Sequence, residues 1–207
     1  MRRRSYAVPM AGPASVLLRR GGFRSVTVAS GHLTDAPDRK VPRFPETRVD
    51  AVTARVRSWL MARSMGSEDL LICGGARGGD LIAAEAAHEC GATVWIMLAH
   101  PPDEFERTSV AGSDDRWVDT FWWMLQRAPC WTIPTYRTTN VDVYAATNTW
   151  MLEVAEFQSR PLPPRLLAVW DGLPAAQPGG TADMVDQSRA AGADVEIVEP
   201  LGLPEPE

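Results

Sequence analysis

Six short apolar runs alternate with stretches of helical periodicity between residues 25 and 198, and this alternation constrains the fold more than any other feature. The runs are Ser25–Ser30, Asp69–Gly74, Thr93–Leu98, Cys130–Pro134, Arg165–Trp170 and Asp194–Val198. Most are rich in β-branched residues and apolar on both faces, as strands are when helices cover both sides of a parallel sheet. Between them Val49, Val52, Val56, Trp59 and Leu60 recur at helical spacing, as do Leu81, Ala84, Ala87 and His88 before a stop at Gly91. Trp117, Phe121, Met124, Leu125 and Ala128 form a third apolar face. Two more helices are expected, one from Val141 to about Phe157 and one from Thr181 to Ala191, ended by Gly192. Strand and helix in alternation predict an α/β fold with a doubly wound, mainly parallel sheet, a Rossmann-like three-layer sandwich forming a single domain over residues 25–200. A content of 45% apolar and 23% charged residues suits a globular core of that kind.

The ends read differently. Residues 1–24 hold Arg2, Arg3, Arg4, Arg19, Arg20 and Arg24 and no acid, so about −11 of charge falls on the rest of a chain whose net charge is −5. This head reads as a basic, flexible segment, as a start placed too far upstream, or as an arm for an acidic partner. Pro9, Gly12 and Pro13 spoil it as a signal sequence, and no stretch approaches the ~18 apolar residues of a membrane span, so a cytoplasmic protein with no membrane partner is expected. Residues 201–207 read as a loose tail. An acidic chain is poorly suited to nucleic acid. Cys73, Cys90 and Cys130 have no CxxC spacing, and His32, His88 and His100 have no ligand spacing, so neither a disulfide framework nor a metal site is expected. Cys73 and Cys130 read as buried small hydrophobes.

Ligands of doubly wound sheets bind at the carboxyl ends of the strands. Three loops there stand out. Gly74, Gly75, Ala76, Arg77, Gly78, Gly79 and Asp80 join the second strand to a helix. Four glycines let the backbone approach an anion, and the helix start offers N–H groups and its positive dipole end. Arg77 supplies a fork for phosphate or carboxylate, and Asp80 a cap or a ribose contact. The loop is neither a Walker A sequence nor GxGxxG, and a plain tight turn is the alternative. Pro178, Gly179, Gly180 and Thr181 form a second such junction, after Asp171 and Gly172 at the end of the fifth strand. Ser30, Gly31 and His32 open a long loop after the first strand that runs through Asp35, Arg39 and Arg43, with a solvated loop as the alternative. A fourth loop, 99–110, carries Asp103, Glu104 and Glu106, which suit the first turn of a short helix better than a ligand, with Phe105 packing or acting as a lid. The eight tryptophans include Trp117, Trp122 and Trp123 on one helix, which suit a core or a subunit interface equally.

Together, the SGH at residues 30–32, GGARGGDLIAAEAA at 74–87 and VWDG with PGGTADMV near the end resemble the SLOG superfamily. This Rossmann-like group includes the Lonely Guy phosphoribohydrolases, DNA-processing protein A and nucleotide-sensor domains. The resemblance spans roughly residues 25–198. It implies a nucleotide or nucleotide-derived ligand, with phosphate on Gly74–Asp80 and beside Gly179, Gly180 and Thr181. It implies no obligatory cofactor, and it brings an effector protein and a homodimer as expected partners. Lonely Guy members carry PGGxGTxxE with a catalytic Glu. Here the xG before Thr181 is missing and Met184 stands at the Glu position, so the expectation moves from catalysis to recognition. If the chain were an N-glycosidic hydrolase of nucleoside monophosphates, its carboxylate would come from Asp80, Asp171 or Asp183. A third possibility is an interaction domain whose glycine loops are only turns.

Overall fold

The computed structural model describes residue 17 and residues 21–112, 114–174 and 178–204. The basic head, apart from Leu17 and residues 21–24, and the last three residues of the tail lie outside them.

All six apolar runs are strands: β1 (Ser25–Gly31), β2 (Asp69–Cys73), β3 (Thr93–Leu98), β4 (Cys130–Thr132), β5 (Arg165–Val169) and β6 (Asp194–Val198). They form one wholly parallel sheet in the order β4-β3-β2-β1-β5-β6. Val28 of β1 pairs with Ile72 of β2 on one side and Leu166 of β5 on the other. The chain therefore winds outward from β1 to β4, returns to β5, and winds outward the other way. The switch point lies between β1 and β5, where the first connections diverge and leave a crevice.

The helices are α1 (Val49–Ala62), α2 (Gly79–Glu89), the four-residue α3 (Pro102–Phe105), α4 (Arg116–Leu125), α5 (Val143–Ser159) and α6 (Thr181–Ala190). Side chains alternate across each strand, so each strand feeds two cores. Leu71, Ile96, Leu98 and Leu167 pack with Val52, Val56 and Leu60 of α1, Leu81 of α2 and Phe121 and Met124 of α4. Val28, Ile72, Met97 and Leu166 face the other way, against Met151 and Ala155 of α5 and Met184 and Val185 of α6. Sandwiching between the two helix layers explains why these runs are apolar on both faces; β6, at the edge, keeps Asp194 exposed.

Trp117 and Trp122 are both buried, and their indole N–H groups donate to Glu46 and Glu106. Trp123 turns to the rim, where it meets the His88 ring edge-on and carries the Arg127 guanidinium on its face. In loop 99–110, Asp103 and Glu104 sit in the first turn of α3, a short helix as their acidity suggests, and residues Glu106–Val110 continue as one wide π-type turn that the sequence does not suggest. At the carboxyl end Leu203 packs on the first core, and Arg48 donates to the Pro204 carbonyl. No helix among the described residues is long and apolar enough to cross a membrane.

Candidate functional site

A cavity of about 510 Å³ opens at the carboxyl ends of β1, β2, β3 and β5, over the switch point. All three glycine-bearing loops contribute to its lining: Ser30, Gly31 and His32 from the first, Gly74, Ala76 and Asp80 from the second, and Pro178, Gly179, Gly180 and Thr181 from the third. Met97, Ala99, Phe105, Met151 and Ala182 supply apolar wall.

The contact between β1 and α2 sets the geometry. A Cβ on Gly31 would meet the Gly79 Cα at 2.5 Å, backbone against backbone, so these two glycines let α2 start directly beside the end of β1. Asp80, in the first turn of α2, is thereby carried to the end of β1. Its Oδ1 accepts from the Gly31 amide at 2.8 Å and its Oδ2 from the Ala76 amide at 3.3 Å. Burial raises its carboxyl from 3.8 to about 7, against the opposing pull of the backbone amides of Ala76, Gly31, Gly74 and Gly75. The amides of the first glycine loop thus converge on an anion, and that anion is the protein's own side chain.

Arg77 is placed differently from the sequence expectation. Its Nη1 donates to the Ala111 carbonyl at 2.8 Å, its Nε approaches the Thr34 carbonyl at 3.4 Å, and it does not line the cavity. Its backbone N–H is bound to the Ser109 carbonyl. The residue ties the β1 and β3 loops together instead of pointing a fork at the crevice. Gly75, Gly78, Gly79, Asp171 and Gly172 are also absent from the lining.

The third loop is the more open one. Gly179 has φ +85°, and a Cβ there would meet the Ala145 amide nitrogen at 2.5 Å, so only glycine lets the loop pass the first turn of α5. Gly180 is the N-cap of α6 and no side chain caps that helix. The first helical bond runs from the Met184 amide to the Gly180 carbonyl, leaving the amides of Thr181, Ala182 and Asp183 to solvent or a ligand. Asp183 is held by Asn148 at 3.0 Å and Gln187 at 2.9 Å and is not part of the lining. Met184 is fully buried in the second core.

Asp171 supports the site from behind. Arg43 grips both its oxygens, at 2.6 and 3.0 Å, and His32 Nε2 lies 3.0 Å from Oδ1. The Arg43 guanidinium, with help from His32, holds the carboxyl far below its ordinary range. Burial keeps His32 below its usual value, so its imidazole is neutral at pH 7. The long β1 loop is built on Asp35, whose Oδ2 accepts from the Arg43 and Phe44 amides, and whose neighbour across the turn, Phe44, is fully buried. That loop delivers Arg43 to the cavity wall.

Further lining groups were not marked by any glycine signature. Ser109 Oγ lies 3.1 Å from Tyr144 Oη, and Thr108 Oγ1 lies 3.3 Å from each, a triangle of hydroxyls at one side of the cavity. Thr147 and Asn148, on α5, line it too. The sequence signal available for them is faint: a Thr-Ser pair late in the long connection after β3, and a TNT triplet near the start of α5.

No family model matches the chain, and no curated protein matches it either. Among solved structures, DNA processing protein A (DprA) from Streptococcus pneumoniae is similar over 90% of this chain and 53% of its own, with 12% identity and a TM-score of 0.50. This chain therefore spans about half the length of that protein. TM1055 aligns over 83% of this chain and 72% of its own at 14% identity and a TM-score of 0.42. The Moco carrier protein from Chlamydomonas reinhardtii aligns over 89% and 93% at 12% identity and a TM-score of 0.34. Six parallel strands wound both ways from β1 make a doubly wound, Rossmann-like fold, and the likeness to DprA is a likeness of that fold.

Proposed function

We propose that this protein binds a nucleotide or nucleotide-derived phosphate ligand in the switch-point cavity and acts as a recognition module without turnover. The observation that carries this reading is the uncapped start of α6, with Gly179, Gly180 and Thr181 opening onto a cavity that has apolar walls. Free amides and the positive end of a helix suit a phosphate. Met97, Ala99, Phe105 and Met151 suit the face of a base, and the hydroxyls of Thr108, Ser109 and Tyr144 suit a sugar or a base edge. The phosphate is assigned to α6 and not to the first glycine loop, because Asp80 already fills that nest. In this reading the output is a change felt by an effector protein, with no product released.

Recognition is favoured over hydrolysis because two of the three candidate carboxylates are engaged elsewhere. Asp171 is gripped by Arg43, Asp183 is held by Asn148 and Gln187, and Met184 offers no acid. A hydrolase reading rests on Asp80 alone, which lines the cavity with its carboxyl lifted to about 7, where an acid-base catalyst works best. Native mass spectrometry and thermal shift against a broad nucleotide panel test the proposal. A bound nucleotide mass or a saturable shift, with no free base released on incubation, is expected. A panel without any shift or bound mass would sink the nucleotide reading, and base release would favour the hydrolase.

A further inference from the structure

The charges around the cavity restrict which phosphate ligand it takes, given the nucleotide reading above. Among the described lining residues the ionisable side chains are His32, Arg43, Asp80 and Tyr144. Arg43 is the only described lining residue with a permanent positive charge, and Asp171, whose side chain is 9% exposed, meets it at 2.6 and 3.0 Å. Arg77 is turned to the carbonyls of Ala111 and Thr34. The amides of Gly31 and Ala76 are taken by Asp80. His32 is neutral. Among the described residues, the side chains that line the cavity therefore carry no surplus positive charge, and Asp80 leans the balance toward negative.

What remains for an anion is the start of α6. A helix N-terminus is equivalent to roughly half a positive charge. A second feature there also points to a ligand. Thr181 lines the cavity, is only 7% exposed, and its hydroxyl has no hydrogen-bond partner among the described residues. One hydroxyl, a few amides and half a charge match one phosphate oxyanion. A second or third negative charge would meet a neutral ion pair or the Asp80 carboxylate, in a partly dry crevice where an unpaired charge is costly.

We propose that the cavity selects a nucleoside phosphodiester bearing a single negative charge, in preference to phosphomonoesters and polyphosphates. The restriction comes from the pairing of Arg43 with Asp171 and from the occupation of the first glycine loop by Asp80. Asp171 is thus a specificity-determining residue that acts through Arg43 without touching the ligand.

The test is isothermal titration of the full chain at pH 7.5, without divalent cations, with the 3′,5′-cyclic monophosphates, 5′-monophosphates and 5′-triphosphates of adenosine, guanosine, cytidine and uridine. For whichever base binds best, the cyclic monophosphate is expected to bind at least about tenfold tighter than the triphosphate, with the monoester between them. A triphosphate that binds as tightly as the cyclic diester, or more tightly, overturns this inference while leaving the nucleotide reading intact. If none of the twelve compounds binds, the nucleotide reading falls and this inference with it. Asp171→Asn, checked for folding by circular dichroism, leaves Arg43 with a charge to offer. Its diester-to-monoester preference is expected to fall by about fivefold or more. A folded variant with an unchanged preference overturns the role given to Asp171, and if the variant does not fold, the wild-type ratios decide the proposal.

Discussion

The Asp80 carboxylate accepts a 2.8 Å hydrogen bond from the Gly31 amide, joining the first turn of α2 to the end of β1 across the floor of the cavity. The group is buried and its carboxyl is lifted from 3.8 to about 7 by that burial. In the unfolded chain the proton leaves near 4, whereas the folded protein keeps it until about 7. Between those values the folded state binds more protons, so this group's contribution to stability falls as pH rises, by at most about 4 kcal/mol across the window. Asp80→Asn keeps an acceptor for the Gly31 amide and, like the protonated acid present at pH 5, sets a donor beside the other backbone amide, so its stability at pH 5 should stay within about 1 kcal/mol of the wild type. It should also flatten the pH dependence between pH 4 and 7. Urea midpoints of both proteins at pH 5 and 7.5 check this, and an Asn variant with the wild-type slope would contradict it.

The approach of Gly31 and Gly79 gives a second expectation. A methyl group at either position meets backbone at about 2.5 Å, with Gly79 Cα on one side and Gly31 Cα on the other at 2.5 and 2.6 Å. Gly31→Ala and Gly79→Ala should each lose about 1–3 kcal/mol of stability, since neither β1 nor α2 can give way without parting the two. Gly66→Ala, whose new methyl has its nearest contact at 3.9 Å, serves as the control and should change stability little. Chemical denaturation of the three variants separates the cases, and three equal losses would contradict the close-approach argument.

The strands and five of the helices were legible because burial on both faces leaves a plain mark, as in Leu70, Leu71 and Ile72 of β2. The three loops around the cavity were legible because glycine is needed where backbones come close, as at Gly31 and Gly179. The direction of Arg77 is not legible, because a sequence gives the position of a long side chain's backbone but not the direction in which its guanidinium swings. The sequence offers Asp80 as a cap or a ribose contact, while its place as the anion of its own loop depends on a tertiary contact between residues 49 apart. Thr108, Ser109 and Tyr144 were missed for a similar reason: two separate connections, after β3 and at the start of α5, must fold together before their hydroxyls meet.

Arg77 and Gly179 should separate in function. Arg77→Ala removes contacts to Ala111 and Thr34 but nothing from the cavity lining, so ligand affinity should stay within about twofold. Gly179→Ala adds a methyl at φ +85°, 2.5 Å from the Ala145 amide nitrogen, and displaces the loop that precedes α6. Affinity should fall by about tenfold or more, because the amides at the start of α6 no longer converge. Isothermal titration with the best nucleotide from the panel measures both, and a larger loss at Arg77 than at Gly179 would return the phosphate to the first loop.

His32 reports on the Arg43 and Asp171 pair. Burial is the main cause of its low value, and the nearby Arg43 charge pushes in the same direction while Asp171 opposes it. Arg43→Ala removes a cation and leaves Asp171 facing the imidazole alone, so His32 should titrate at higher pH. Proton NMR of the imidazole Cε1–H across pH 4–9 follows it directly. A downward shift would mean that Arg43 is not the partner that holds Asp171.

The phosphate position at the start of α6 is best tested by backbone amide NMR during titration with the tightest nucleotide of the panel. Saturable shifts are expected at Gly179, Gly180, Thr181 and Ala182, with the amides of Ala76, Arg77 and Gly78 moving little. Shifts concentrated on Ala76, Arg77 and Gly78, with the start of α6 unmoved, would contradict the account.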